Sequence, residues 1–190
     1  MFGPSVTRGF RVAPRSTLDI RRHAIHVRDV LGLDPAVGFF PMADFIESLF
    51  EYGINYDVVD QGELPQGVEA CCVPEHRIIM LTQDTYDQAC RDTPRARFTM
   101  IHELGHLALS HARAFHREQR ESLEIKAYED SEWQANTFAA EFLMPADDVV
   151  HCRLGHPAEL MMRYQVSEPA AAKRLRDLTK QGLLQERKGR

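Results

Sequence analysis

Cysteine is scarce and poorly spaced for chemistry: Cys71, Cys72, Cys90 and Cys152 form no C-x-x-C pair. That argues against a thiolate metal site and predicts buried, reduced thiols in a cytoplasmic protein. Cys71 and Cys72 fall in an expected strand, where adjacent side chains point to opposite faces. Long apolar runs are also lacking. No stretch reaches the roughly 20 residues of a membrane span, and Met1-Phe2-Gly3-Pro4-Ser5 lacks the apolar core of a secretory signal. No membrane association is expected. Neither sign of charge dominates, the net value being −5. From Pro157 to Arg190, however, eight Lys/Arg face four acids, so that end is basic and the remainder acidic. Such an end reads either as an interaction surface or as a solvated helix face.

With 190 residues, 44% of them hydrophobic and 27% charged, the chain can build one domain with a sizeable core. Residues 1–15 carry Gly3, Pro4, Gly9 and Pro14 without periodicity and read as an extended tail. Ser16-Thr17 caps a helix with Leu18, Ile20, Ala24, Ile25, Val27 and Leu31 that ends at Gly32. A second helix follows Pro41, with Met42, Phe45, Ile46, Leu49 and Phe50 as an apolar stripe closed by Gly53. The period then changes. Ile54–Val59 reads as a strand, and Val68–Val73 and Arg77–Leu81 as a hairpin joined through Pro74-Glu75-His76. A polar helical stretch, Thr85–Arg91, precedes the most informative segment.

That segment is Arg97-Phe98-Thr99-Met100-Ile101-His102-Glu103-Leu104-Gly105-His106-Leu107-Ala108-Leu109. Thr93 is placed to cap a helix and Pro94 suits its first position, so a helix from about Pro94 to Ser110 is expected. Apolar residues nearly all round it mark a helix buried in the core. His102 and His106, four apart, project from one face and can give two nitrogens to one metal ion. Glu103 sits roughly 100° around the helix, beside the metal, where it can deprotonate a bound water. A single histidine on an apolar helix is ordinarily a satisfied core residue. Two at this spacing with a glutamate between them, in a buried frame, call for a compensating cation.

A catalytic zinc site uses three protein ligands and keeps one position open. Leu109 and Ala112 stand where the metzincin pattern needs Gly and His, which rules that class out. On a continuing helix His111 falls about 140° off the metal face. His116 and His151 lie in expected loops without supporting pattern. Glu132 is the better candidate, at the start of a helix whose apolar face is Trp133, Ala135, Phe138, Ala139, Phe142 and Leu143 and which stops at Met144-Pro145. Asn136, one turn on, can hold a ligand imidazole by hydrogen bond. Glu129 is the fallback ligand.

These two blocks, Phe98–Leu107 and Glu132–Pro145, resemble the ImmA/IrrE family of bacterial metallopeptidases in order and spacing. The resemblance is weaker over Met42–Leu81 and absent before Ser16. It implies a gluzincin-like site with His102, His106 and Glu132 as ligands and Glu103 as catalytic base. It also implies a cytoplasmic protein that cleaves or pairs with a helix-turn-helix repressor. The expected architecture is α+β: helices on a small, mainly antiparallel sheet, a zincin-like active-site helix and a helical C-terminal segment. Three parts are expected: a tail (1–15), the metallopeptidase domain (16–152) and a basic helix-turn-helix-like end (153–190).

Zinc is the expected cofactor, with Mn2+ or Fe2+ also compatible with two imidazoles and a carboxylate. Tyr128, His116 and Arg113 are candidate oxyanion donors, and Arg113–Glu121 reads as a connecting lid. Two rival functions remain in view. The short helices around Tyr164–Ser167, with Lys173, Arg174 and Arg176 on the second, have the spacing of a DNA- or protein-binding module. The chain could equally be the toxin or antitoxin of a pair that includes a repressor.

Overall fold

The computed structural model describes residues 9–34, 37–111 and 125–185. Among these residues it has eight α-helices and one three-stranded sheet. Helix α1 (Thr17–Val30) begins at Ser16 in a capping box with Asp19: the Ser16 hydroxyl accepts from the Asp19 amide and the Asp19 carboxylate accepts from the Ser16 amide. It buries Ile20 and Ala24, and ends where Gly32 takes φ 66°.

Helix α2 (Met42–Ser48) tightens into a 3-10 turn over Leu49–Tyr52 before Gly53 stops it at φ 68°. The tightening corrects one expectation. A turn of about 3.0 residues instead of 3.6 rotates the chain off the predicted stripe, and Phe50 emerges 71% exposed while Leu49 is buried.

Strands β1 (Asn55–Val59), β2 (Ala70–Val73) and β3 (Ile78–Thr82) lie in the order β1-β3-β2. The β2–β3 hairpin turns through Pro74–His76, with Cys72 opposite Ile79, as its pattern predicts. The sheet is nevertheless mixed, because β1 pairs with β3 in parallel, Tyr56 facing Ile79. Alternating burial within a strand fixes which face is apolar but carries no information on partner or direction. The arrangement leaves β2 as an edge strand against the functional cleft. Its thiols also differ from expectation: none of the four cysteines is in a disulfide, but only Cys72 is buried and Cys90 is exposed.

Helix α3 (Gln83–Cys90) is capped by Thr82, and a turn at Asp92 (φ 54°) leads into α4 (Pro94–Ala108). Thr93 occupies the cap position of α4, yet its hydroxyl makes no capping bond and is buried without a partner. Pro94 supplies the start instead, its fixed φ and missing N–H both suiting the first helical position. Helix α4 is buried on most sides, and its C-terminal half packs on α5 (Ser131–Leu143). Asp130 caps α5 by accepting from the Glu132 and Trp133 amides at 2.8 and 3.1 Å.

A short helix absent from the sequence reading, α6 (Ala146–His151), follows Pro145. Helices α7 (Pro157–Tyr164) and α8 (Glu168–Lys180) close the chain around Gln165 at φ 53°. Leu160, Tyr164, Val166, Ala171 and Leu178 join the same core as Ile20, Met100 and Phe142. The leucine and valine side chains each contribute about 1.5–3 kcal/mol on burial, so helices α7 and α8 are built into the domain. Glu141 of α5 ties them in through Arg174 of α8 and Arg21 of α1, at 2.6 and 3.0 Å. The extended segment 9–15 also docks, running beside residues 127–131 with a bridge between Arg11 and Asp130.

Candidate metal centre

The i, i+4 spacing on α4 brings His102 Nε2 and His106 Nε2 within 3.1 Å of each other. Capping by Asp130 fixes the first turn of α5 so that Glu132 reaches the same point. Its Oε2 is 3.3 Å from His102 Nε2 and its Oε1 is 3.5 Å from His106 Nε2. Ligands at zinc bond lengths of about 2.0–2.1 Å in tetrahedral array stand about 3.3 Å apart. The three donors therefore already form one face of such a tetrahedron, and the set fits a divalent cation. Among the described residues this is the group of His, Cys, Asp and Glu able to hold one.

The electrostatics agree. Burial works against a charged His102, but the Glu132 hydrogen bond and the charges of Glu103 and Glu132 outweigh it and raise the His102 pKa above the ordinary value. Burial also works against a charged Glu132, yet the His102 hydrogen bond and the charges of His106 and His102 hold its carboxyl below the ordinary value. Both shifts have one physical cause: a half-buried carboxylate and two imidazoles jointly favour positive charge between them.

Glu103, 8% exposed, lines the same cleft of about 240 Å³. The opposite wall is the edge strand, through Ala70, Cys71 and Cys72. Arg95 and Glu69 pair across the cleft rim, and Phe10 of the docked N-terminal segment also contributes.

Asn136 is exposed on α5, and its side-chain hydrogen bond to His102 helps to raise that residue's pKa. Tyr128 is 41% exposed, with Lys126 Nζ 5.7 Å from its ring centroid, and is not among the residues lining the cleft. Its backbone carbonyl accepts from the Gln134 side-chain amide at 2.8 Å. The other two oxyanion candidates, Arg113 and His116, lie outside the described residues, as does the expected lid. Glu129, the fallback ligand, pairs with Arg11 at 2.9 Å. His151 is exposed at the end of α6.

His111 is the residue that the sequence reading set aside and the structure brings in. Helix α4 ends at Ala108 and Ser110 takes φ 54°, so the chain folds back instead of continuing the helix. His111 is thereby buried behind His106, with Nδ1–Nδ1 at 3.0 Å, and its Nε2 meets Gln134 Oε1 at 2.9 Å. Burial pushes the His111 pKa down. The available signal was the short spacing after His106 combined with Gln134 one turn before Phe138, which no helical projection connects.

The basic C-terminal helix is partly spent on structure. Arg174 is buried on Glu141 and donates to the Met144 carbonyl at 2.9 Å, and Lys173 pairs with Asp177. Of the three cations, Arg174 is turned inward, whereas Lys173 and Arg176 are exposed.

Two imidazoles from one helix and a carboxylate from the next can hold a divalent cation, with a buried glutamate beside them. Residues 86–176 match the family model described as the IrrE N-terminal-like domain, peptidase M78, which is consistent with the ImmA/IrrE resemblance. A solved structure, a Mycobacterium tuberculosis transcriptional regulator, is similar at 16% identity with a TM-score of 0.54. The match covers 82% of this chain and 46% of that one, so this chain spans less than half of its neighbour's length and the likeness is one of fold. Comparison with curated protein sequences gives no significant match. No helix among the described residues is long and apolar enough to cross a membrane.

Proposed function

We propose that the protein is a zinc-dependent endopeptidase of the gluzincin kind, with His102, His106 and Glu132 as ligands and Glu103 as the base. The observation that carries this reading is the convergence of the three donor atoms, all within 4.8 Å of one another, beside a buried glutamate. A bound divalent ion would supply Lewis acidity toward a peptide carbonyl and make a water acidic enough to lose its proton near neutral pH. Glu103 takes the proton from the attacking water and returns it to the leaving amine, a role that requires a carboxylate ionised at the start. Its burial strengthens both transfers, since few waters compete for the charge.

The edge of β2 bordering the cleft is suited to an extended peptide, which would add as a further strand. Main-chain pairing of that kind accepts many sequences, so selectivity falls to the rim formed by Glu69, Arg95 and Phe10. Following the family resemblance, the substrate is a cytoplasmic regulatory protein, a helix-turn-helix repressor in the first instance. Four cysteines outside any disulfide suit that reducing compartment.

The test is a substrate trap. Glu103→Gln protein, used as bait in its native host, is expected to retain a repressor that the wild-type protein cleaves. Retention of a partner that wild type leaves intact would instead make the protein a binding component, as in a toxin–antitoxin pair.

A further inference from the structure

We propose that His111 and Gln134 are positioning residues that hold His106 in the single tautomer able to ligate metal. The inference rests on the metallopeptidase reading and concerns how the chain orders a proton on one of its ligands.

The order begins at the backbone. The Gln134 side chain is fully buried, and its Nε2 lies 2.8 Å from both the Ala13 and the Tyr128 carbonyl oxygens. Only an NH2 group can face two carbonyls at that distance, so the orientation of the amide is set by main-chain atoms. Oε1 therefore points the other way, to His111 Nε2 at 2.9 Å, and must accept. His111 Nε2 carries the hydrogen. A neutral imidazole has one N–H, so His111 Nδ1 presents a lone pair to His106 Nδ1 at 3.0 Å. His106 meets that lone pair with its own Nδ1–H, so its Nε2, 3.1 Å from His102 Nε2 and 3.5 Å from Glu132 Oε1, is the nitrogen without a hydrogen.

The source of the order is also anchored. Ala13 belongs to the docked segment, held by the Val12 amide on the Glu129 carbonyl at 2.8 Å and by the Arg15 amide on the Tyr128 carbonyl at 2.9 Å. The Ser131 amide donates in turn to the Phe10 carbonyl at 3.1 Å. Carbonyls have no alternative tautomer or rotamer, so the relay from Ala13 to His106 has one direction. Outer partners of ligating histidines act in this way, fixing tautomer and ring orientation.

The test uses full-length, metal-free protein and two readouts that do not depend on peptidase activity. Long-range proton–nitrogen NMR is expected to show His106 protonated on Nδ1 alone. Competition with a chromogenic chelator is expected to show zinc bound about 10- to 100-fold more weakly in His111→Phe and in Gln134→Leu than in wild type. In those variants His106 should become a mixture of tautomers.

Folded variants with wild-type zinc affinity and one unchanged His106 tautomer would overturn the proposal. If neither variant folds, the wild-type spectrum decides, since a proton on His106 Nε2 is incompatible with it. Wild-type protein that binds no zinc, yet shows the Nδ1–H tautomer, would instead overturn the metallopeptidase reading and leave the relay standing.

Discussion

Gly105 of α4 and Phe138 of α5 stand so close that a methyl group on the glycine would lie 3.0 Å from Phe138 Cδ1 and 3.3 Å from the Ala135 carbonyl oxygen. The closeness of the two helices is what lets Glu132 of one reach the imidazoles of the other. Gly105→Val is expected to push them apart, at a cost of about 1–3 kcal/mol from overpacking. Thermal melting should register the loss, and zinc affinity should fall with it. A variant with wild-type melting and affinity would show that the interhelical distance does not control the site.

Replacing Glu103 with glutamine keeps the size of the side chain and removes the proposed base. Activity against a cleaved repressor should drop by about 10²- to 10⁴-fold, while zinc content stays at the wild-type level. Measuring both on one preparation separates a lost base from a lost metal. Full activity in this variant would move the base elsewhere.

Glu132→Ala should have the opposite profile, losing the metal first. Removing one of three protein donors leaves two imidazoles, and zinc should then be stripped by a chelator concentration that wild type withstands. Equal retention of zinc would mean that another group completes the set.

Glu141 makes stability depend on pH. Burial raises its pKa, but the hydrogen bond and charge of Arg174, joined by those of Arg21, hold it below the ordinary value of 4.5. A depressed carboxyl contributes its full stability above its unfolded value and loses it as pH falls through the lower folded value. Urea unfolding at neutral pH should find Glu141→Gln destabilised by about 3–5 kcal/mol, because Arg174 is left buried and unpaired. The gap between variant and wild type should narrow as the pH falls below about 4. A gap independent of pH would show that the carboxylate's charge is not what the fold uses.

Helix positions were legible wherever a cap or a glycine marked an end, as at Ser16, Gly32 and Asp130, because those signals act within one turn. The spacing of His102 and His106 likewise carried its geometry on its face. What stayed hidden depended on a departure from regularity or on distant partners. Phe50 turned outward when a helix tightened, and β1 chose a parallel neighbour that nothing local specifies. His111 was placed off the metal face by a helix that in fact ends before it. Thr93 has the residue type of a cap, but its side chain makes no capping hydrogen bond.

The docked segment before α1 has a practical consequence for dissection. The stretch with family likeness, residues 86–176, encloses the three donors and Glu103. The carbonyl of Ala13 that orients Gln134 lies outside it. A fragment excised on those limits would inherit the motif and lose an external reference that sets its hydrogen pattern. Boundaries drawn by kinship and boundaries drawn by chemistry do not coincide in this chain.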